Sequence, residues 1–392
     1  MNHPTSRSTR PPLLLAAALV AVAWGALYDA GRWVALFIVN PVHLDFRIFY
    51  VAAEAGLRYG WARIYDVDTL QSLSSSFPAD ERYINSAATF IHPPVLAWLV
   101  APLTILPLPV AYVVWTLLSL GALVWAWHIS APYRGLAKLA LLLLALALWP
   151  VMDSFYYGQP AILVLALVAT AWWLAANDRP VWAGVALAFA TVLKPQVVIL
   201  VPVALLVSSR VRPVLAWAVG CAVLAALCAI VLGPNGLSAW WQTLIYVQGD
   251  HGHSFFTMAY LFGTGPVSYG LEALQGAVAL VIARRRRKEL DAVIALGLLG
   301  SLTFAFHLHQ PDYSSLVLAA WLVLRTSPPL WHKLWLLVGI VTMQAVTLGY
   351  PAPQLLWDAG WLVLLAVSSF FGSGASDPAT RAAASSGARA GT

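Results

Sequence analysis

The sequence predicts an all-α polytopic membrane protein. Hydrophobic residues make up 61% of the 392 residues and charged residues only 10%, a balance that water-soluble domains do not show. Apolar runs long enough to cross a bilayer recur along the chain. The net charge of +6 comes from basic residues clustered between these runs, which is typical of cytoplasmic loops. We therefore do not expect nucleic-acid binding.

The N-terminal part of the chain predicts a first span and then a polar segment. Arg7 and Arg10 precede the apolar run 13–28, the layout of a signal peptide or of a first transmembrane helix. We favour an uncleaved helix because further crossings follow. The largest polar segment comes next, at about residues 29–90. Within it, residues 45–60 predict a helix whose face of apolar and small residues would lie along the membrane surface. This face comprises Phe49, Ala52, Ala53, Gly56 and Tyr59.

The rest of the chain alternates apolar runs with short polar segments. The run from Val95 to Leu106 covers only ~18 Å as a helix, against a hydrocarbon core of ~30 Å, so it predicts a re-entrant or interfacial segment. A second polar loop is expected at about residues 233–265, and a disordered tail at 372–392. Full spans are predicted near residues 108–129, 135–150, 159–176, 180–194, 196–209, 213–232, 267–283, 290–306, 313–325, 331–349 and 354–371.

The charge pattern selects one topology. If the short run after His92 does not cross, every basic cluster falls on the side of the N-terminus, as the positive-inside rule requires. If it crosses, the four arginines 284–287 are exported, which is unfavourable. The first choice gives about twelve spans in one transmembrane domain, residues 1–371, with both termini cytoplasmic and the loops 29–90 and 233–265 outside. We interpret the arginine run as an orientation signal, with contact to lipid headgroups as the alternative.

This topology collects several polar residues on the external face. Asp45 follows the first crossing, where a carboxylate meets both water and lipid, and we place the chemistry there. The alternative is that Asp45 only caps the helix that follows it. Lys194 lies before Pro195, which should break the helix. Its ammonium could bind a phosphate, or it could simply extend to the interface from a helix end.

Three further segments of this face offer ligand-binding groups. The glycine of Gly158-Gln159 would let a ligand approach and the glutamine could bind a hydroxyl, although such a pair also suits a loop with a cap. His307, His309 and Asp312 suit phosphate or sugar binding better than a metal, because their spacing is loose for a metal site; an interfacial cluster without a ligand is the alternative. Residues 250–253, Asp-His-Gly-His, suggest a metal only weakly. No cofactor is expected; a divalent cation is left open as an alternative but is not indicated. Asp153 and Glu54 are candidate second carboxylates.

In this order, the motifs resemble those of glycosyltransferase family 87. The resemblance covers roughly residues 45–320 and is carried by the series Asp45-Phe46, Gly60, Tyr65, His92-Pro93-Pro94, Gly158-Gln159, Gly184, Lys194-Pro195, His309 and Asp312. It implies a polytopic GT-C-type enzyme of the plasma membrane that moves a hexose, with mannose as the implied sugar, from a polyprenyl-phosphate donor. It also implies that Asp45 is the catalytic aspartate. Where the family pattern has an asparagine two residues after the glutamine, this chain has Pro160-Ala161, which leaves the acceptor, a lipid or a glycan, open.

The chemistry of such a transfer fits these residues. The donor needs a cation for its departing phosphate, and the acceptor hydroxyl needs a base. We expect Asp45 to be the base and Lys194 and His309 to bind the phosphate. The expected substrate-binding residues are His92, Gln159, Gln196, His307 and Asp312. A single displacement inverts the anomeric centre, so a β-linked donor would give an α-linked product.

The chain has no glycine-rich phosphate loop, which agrees with a lipid-linked donor and an active site on the extracytoplasmic face.

Two other classes of function compete with this interpretation. A transporter or flippase of lipid-linked sugars would commonly show internal repeats and broken helices at the midplane. We find no repeat, and the polar residues gather at one face, which favours the enzyme. A scaffolding membrane protein would not need so many polar residues on one side.

Overall fold

The computed structural model describes residues 13–39, 44–75, 89–248 and 256–371. Of these residues 84% are helical and none is in a strand, which confirms the all-α prediction. The helices are α1 Leu13–Val39, α2 Leu44–Tyr59, α3 Val67–Ser74, α4 Pro94–Val100, α5 Leu108–Ser130, α6 Gly135–Leu146, α7 Trp149–Tyr157, α8 Ala161–Ala176, α9 Pro180–Leu193, α10 Pro195–Val198, α11 Leu200–Val207, α12 Val211–Gln248, α13 Ala259–Phe262, α14 Pro266–Arg285, α15 Leu290–Phe304, α16 Ser315–Arg325, α17 Leu330–Val346 and α18 Ala352–Phe371. Short 3₁₀ helices span Trp61–Arg63, Ala101–Ile105 and Gln310–Ser314.

Several of these helices could cross a membrane. Among the described residues, α1, α5, α12 and α14 are long and apolar enough to do so, and α6 with α7 would make a fifth span although they are bent by 57°. The other apolar helices have only 10–17 residues when α18 is counted as far as Ser368. That corresponds to about 15–26 Å, which is less than the ~30 Å core. The chain is therefore a helical membrane protein, and the count of twelve spans stays a prediction. The run after His92 is one of the short ones, at Pro94–Ile105.

Two helices extend into segments that were expected to be loops. Helix α1 continues to Val39, because Trp33 and Phe37 pack on Tyr112 of α5. The expected loop at 233–265 is helical as far as Gln248, with a break at Gly233, whose φ of 61° is left-handed. The motif at 250–253 and the predicted tail at 372–392 lie outside the described residues.

Helix α2 confirms the predicted helix but not its predicted position. Phe49, Ala52 and Ala53 are at most 2% exposed. Gly56 is buried as well, because a Cβ there would lie 2.3 Å from the ring of Trp61. Tyr59, the last residue of the predicted face, is 57% exposed. The prediction that this face lies along the membrane surface is therefore wrong for its other four residues, which pack against the protein.

Local sequence explains two breaks that shape the site. Helix α9 ends before Lys194, and Pro195 opens α10, because proline cannot donate the hydrogen bond that would continue α9. Helix α7 ends at Gly158, whose φ of 68° is left-handed, the conformation that favours glycine at a helix C-terminus.

Candidate active site

Asp45 is joined across the bundle to Gln159. It lies in the first turn of α2, and its Oδ2 accepts a hydrogen bond of 2.5 Å from Nε2 of Gln159. The carboxylate is enclosed by protein yet keeps part of its surface accessible. Gln159 lies two residues after the end of α7, so this hydrogen bond links the start of α2 to the turn between α7 and α8.

The turn that carries Gln159 is held in place by close packing. A Cβ on Gly158 would lie 2.6 Å from Cβ of Phe46, so glycine allows α2 to approach the turn. Nε1 of Trp115 donates to the Gly158 carbonyl at 2.8 Å. The side chain of Gln159 is 7% exposed, and its Oε1 has no hydrogen-bond partner among the described residues.

Lys194 and Asp312 form a buried ion pair. Lys194 is 2% exposed and Asp312 0%, and the ammonium contacts Oδ1 of the carboxylate. The other oxygen, Oδ2, accepts from the backbone N–H of His309 at 2.8 Å. Burial acts to raise the pKa of Asp312, but Lys194 and this N–H outweigh it and the pKa lies below its ordinary value. The alternative that Lys194 extends to the interface is wrong, because its ammonium lies inside the protein.

The surroundings of Asp45 make it a stronger base than a solvated aspartate. Enclosure by protein raises its pKa above the ordinary value, because a carboxylate loses solvation there. The hydrogen bond from Gln159 and the charge of Lys194 oppose the rise, and the charge of Asp312 adds to it. Asp45 is therefore electrostatically connected to the ion pair.

His92 lies next to the ion pair as a neutral imidazole. Burial, then the charge of Lys194, lowers its pKa to about 3. The ring packs edge-on against Phe49 at 5.1 Å between centroids and hydrogen-bonds the backbone of Leu193. At neutral pH, His92 can therefore exchange hydrogen bonds with a ligand but does not attract a phosphate by charge.

The remaining predicted residues differ in their exposure and in their contacts with the cluster. His309 is exposed beside the cluster and interacts electrostatically with Asp312. His307 is half-buried, and its ring lies 4.8 Å from that of His309. Gln196 is half-buried in α10, and within the described ranges no hydrogen bond or ion pair joins it to the cluster. No group of three or more His, Cys, Asp or Glu side chains among the described residues is arranged to hold a metal.

Two more charged residues border the site. Asp153 of α7 is 3% exposed and interacts electrostatically with Asp45, so this second-carboxylate candidate does lie at the cluster. Glu54 instead pairs with the exposed Arg58 at 2.5 Å, as expected for a solvated helix face. Sequence reasoning missed Arg32, which lies 3.8 Å over the ring of Trp149 and interacts with Asp153. An arginine inside the apolar helix α1 was the available signal.

The site thus combines the carboxylate of Asp45, the Lys194–Asp312 ion pair and the neutral imidazole of His92 inside a helical membrane protein. The sequence model of glycosyltransferase family 87 matches residues 90–311, more than half of the chain. The protein belongs to glycosyltransferase family 87, which confirms the resemblance, and it is a glycosyltransferase that uses a sugar donor and an acceptor. The match includes His92, Gln159 and Lys194, whereas Asp45 lies before it. Comparison with curated proteins and with solved structures gave no match.

Proposed function

We propose that the protein transfers a hexose, with mannose as the first candidate, from a polyprenyl-phosphate donor to a lipid or glycan acceptor. The observation that carries this proposal is the position of Asp45, an accessible carboxylate with a raised pKa, held by Gln159 beside the Lys194–Asp312 pair. A carboxylate that could act as a base thus interacts electrostatically with a buried ammonium group. A lipid-linked donor needs this combination.

In the proposed reaction, Asp45 takes the proton of the acceptor hydroxyl as its oxygen attacks the anomeric carbon. The bond from that carbon to the phosphate oxygen breaks on the opposite side, and its electron pair leaves with the polyprenyl phosphate. The configuration at the carbon inverts. A raised pKa helps because a base works best when its pKa is near the operating pH. The buried Oε1 of Gln159, which lacks a partner among the described residues, would accept a hydrogen bond from a substrate hydroxyl.

The departing phosphate needs positive charge, which we assign to Lys194 and His309. The exposed ring of His309 would meet the phosphate first. Lys194 would act from inside the protein. Its positive charge would then be shared between the phosphate and the carboxylate of Asp312. His92, neutral at pH 7, would hydrogen-bond a sugar hydroxyl. His307 and Gln196 complete the proposed substrate-binding set at its edges.

The proposed arrangement in the membrane follows from the charge pattern. We propose a GT-C-type domain, residues 1–371, with about twelve spans in the plasma membrane and a cytoplasmic tail at 372–392. The active site would face the extracytoplasmic side, where polyprenyl-phosphate sugars replace soluble nucleotide sugars as donors. Short apolar helices such as α9 and α11 would then cross in part, with the break at Lys194 on the outer side.

The purified protein in detergent tests the proposal with two donors. We expect sugar transfer from polyprenyl-phosphate-mannose to a lipid extract of the source cells, and none from GDP-mannose. Transfer from the nucleotide sugar at a comparable rate, without a lipid intermediate, would reject the mechanism. Movement of the lipid-linked sugar across liposomes without any transfer would instead identify the rival, a flippase.

A further inference from the structure

An apolar cavity lies between α6, α16, α17 and α18. Its volume is about 240 Å³, and the described residues that line it are apolar or aromatic except for Lys333. Lys333 and Leu337, one turn apart on the same face of α17, line the cavity and have exposed side chains, so the cavity reaches the protein surface beside them. Apolar cavities exclude water and accept hydrocarbon instead. In a protein that spans a membrane, the hydrocarbon available at such an opening is that of lipid chains.

The packing of α17 on α18 keeps this cavity open. A Cβ on Gly339 would lie 2.3 Å from the ring of Trp357, so glycine lets the two helices meet closely. The rings of Trp335 and Trp357 stack with centroids 6.3 Å apart, and Nε1 of Trp357 donates to the Trp335 carbonyl at 2.9 Å. Because these contacts hold α17 on α18, the space towards α6 and α16 is not filled by α17.

The depth of the cavity matches one leaflet of a membrane. Its lining runs along α17 from Lys333 to Met343, which is about 15 Å at ~1.5 Å per residue. This depth is half of the ~30 Å hydrocarbon core. The cavity therefore fits one acyl chain that enters beside Lys333.

Basic side chains surround the Lys333 end of the cavity. Arg325 ends α16 directly after a lining residue, and Lys138 lies one turn before a lining residue of α6. Arg325 is paired with Asp291 at 3.3 Å. Within the described ranges, no carboxylate forms an ion pair with Lys333 or Lys138. This end therefore carries positive charge that the phosphate of a lipid can balance, as basic pockets between transmembrane helices do on the cytoplasmic side.

The position of these cations distinguishes the occupant from the sugar donor. The predicted topology puts Arg325 and Lys333 on the cytoplasmic side, with the other basic clusters. Helix α16 has 11 residues, or about 16 Å, and Asp312 precedes its other end. The phosphate of the donor has to reach Lys194, the partner of Asp312, so a phosphate at Lys333 belongs to another lipid.

We propose that this cavity binds one anionic glycerophospholipid of the cytoplasmic leaflet, with an acyl chain between α16 and α17 and the phosphate at Lys333. The lipid is neither donor nor acceptor, so this site does not depend on the proposed function. The far end of its chain would contact Leu316, which lines the cavity four residues after Asp312. The bound lipid would thus stabilise the segment that carries the ion pair.

Native mass spectrometry of the purified protein in detergent tests the headgroup site. The probes are dioleoylphosphatidylglycerol and dioleoylphosphatidylcholine, which have the same chains but differ in net charge. We expect one phosphatidylglycerol to bind about tenfold more tightly than phosphatidylcholine, and Lys333→Gln to weaken its binding about fivefold. The matched control is Lys288→Gln, which should bind like the wild type, because Lys288 is also exposed but does not line the cavity. Equal affinity for the two lipids, or an equal loss in the two variants, would overturn the proposal.

The variant Ala320→Phe tests the chain site. Ala320 is half-buried and lines the cavity, so a phenylalanine there would take the place of the acyl chain. We expect phosphatidylglycerol binding to fall more than about tenfold, whereas the melting temperature without lipid should stay unchanged or rise, because a filled cavity is stabilising. Unchanged phosphatidylglycerol binding would overturn the proposal, and a raised KM for the lipid-linked donor would in that case assign the cavity to the polyprenyl chain. The binding measurements use no sugar donor, so they hold whether or not the proposed function is correct.

Discussion

Separate removal of each partner of the Lys194–Asp312 pair should distinguish stability from catalysis. Both side chains are almost fully buried, and loss of one partner of a buried pair costs about 3–5 kcal/mol, because the other charge stays unpaired. Among the described residues, Lys194→Met leaves the carboxylate of Asp312 with only the His309 N–H as a hydrogen-bond partner, so it should lower the melting temperature strongly. Asp312→Asn should do the same by leaving the ammonium unpaired.

The double variant Lys194→Met with Asp312→Asn should regain most of that stability. Replacement of a buried pair by uncharged groups of similar volume is often neutral, so the two changes should be strongly non-additive. Activity should behave differently, because the double variant still lacks the cation proposed for the phosphate. We expect kcat/KM for the lipid-linked donor to remain at least about 30-fold below the wild-type value, a difference of ~2 kcal/mol in transition-state stabilisation.

The assay combines thermal unfolding in detergent with initial rates for all four forms. Recovery of stability without recovery of activity is the predicted result. If the double variant regained both, Lys194 would be a structural residue and its assigned role at the phosphate would be wrong.

Three further predictions concern topology, protonation and the partner of the base. Ser72 is exposed on α3, and in a background without native cysteines Ser72→Cys should react with an impermeant thiol reagent in intact cells. Lys288→Cys should react only after the cells are permeabilised. The reverse pattern would overturn the topology. The plot of kcat/KM against pH should fall towards acid through a pKa above the ordinary aspartate value of ~3.9, because Asp45 must be deprotonated to act and enclosure raises its pKa; an acid limb at or below that value would exclude Asp45 as the base. Gln159→Leu should move this limb to higher pH, because the hydrogen bond from Gln159 lowers the pKa of Asp45, and an unmoved limb would show that the two side chains are not in contact in solution.

Local chemistry made part of this structure predictable from sequence. Pro195 cannot continue a helix, so the break at Lys194 followed directly from one residue type. A loop at Gly158-Gln159 was one of the two interpretations of that pair, and Gly158 does end α7 there. The all-helical membrane class followed from composition, and the order of the motifs led to the family.

Tertiary packing decided what the sequence could not. The polar residues at Asp29 and Arg32 looked like the end of a span, but contacts of Trp33 and Phe37 with α5 keep α1 helical to Val39. The predicted surface face of α2 has the same pattern as a face packed on protein, and periodicity cannot tell the two apart.

The candidate site shows the same limit. Lys194 and Asp312 lie 118 residues apart in sequence, and a phosphate-binding lysine looks no different in sequence from one with a buried carboxylate partner. The protonation state of His92 could not be predicted from the sequence either. Its imidazole is neutral because it is enclosed by protein and lies near the ammonium of Lys194.

Asp45→Asn tests most directly whether Asp45 takes the acceptor proton. Asparagine keeps the size and can still accept the hydrogen bond from Gln159, but it cannot take up a proton from the hydroxyl. With purified protein and polyprenyl-phosphate-mannose, we predict that kcat falls by ~10²- to 10⁴-fold, the usual contribution of a general base, while the donor KM stays close to that of the wild type. A kcat near the wild-type value in Asp45→Asn would contradict the claim.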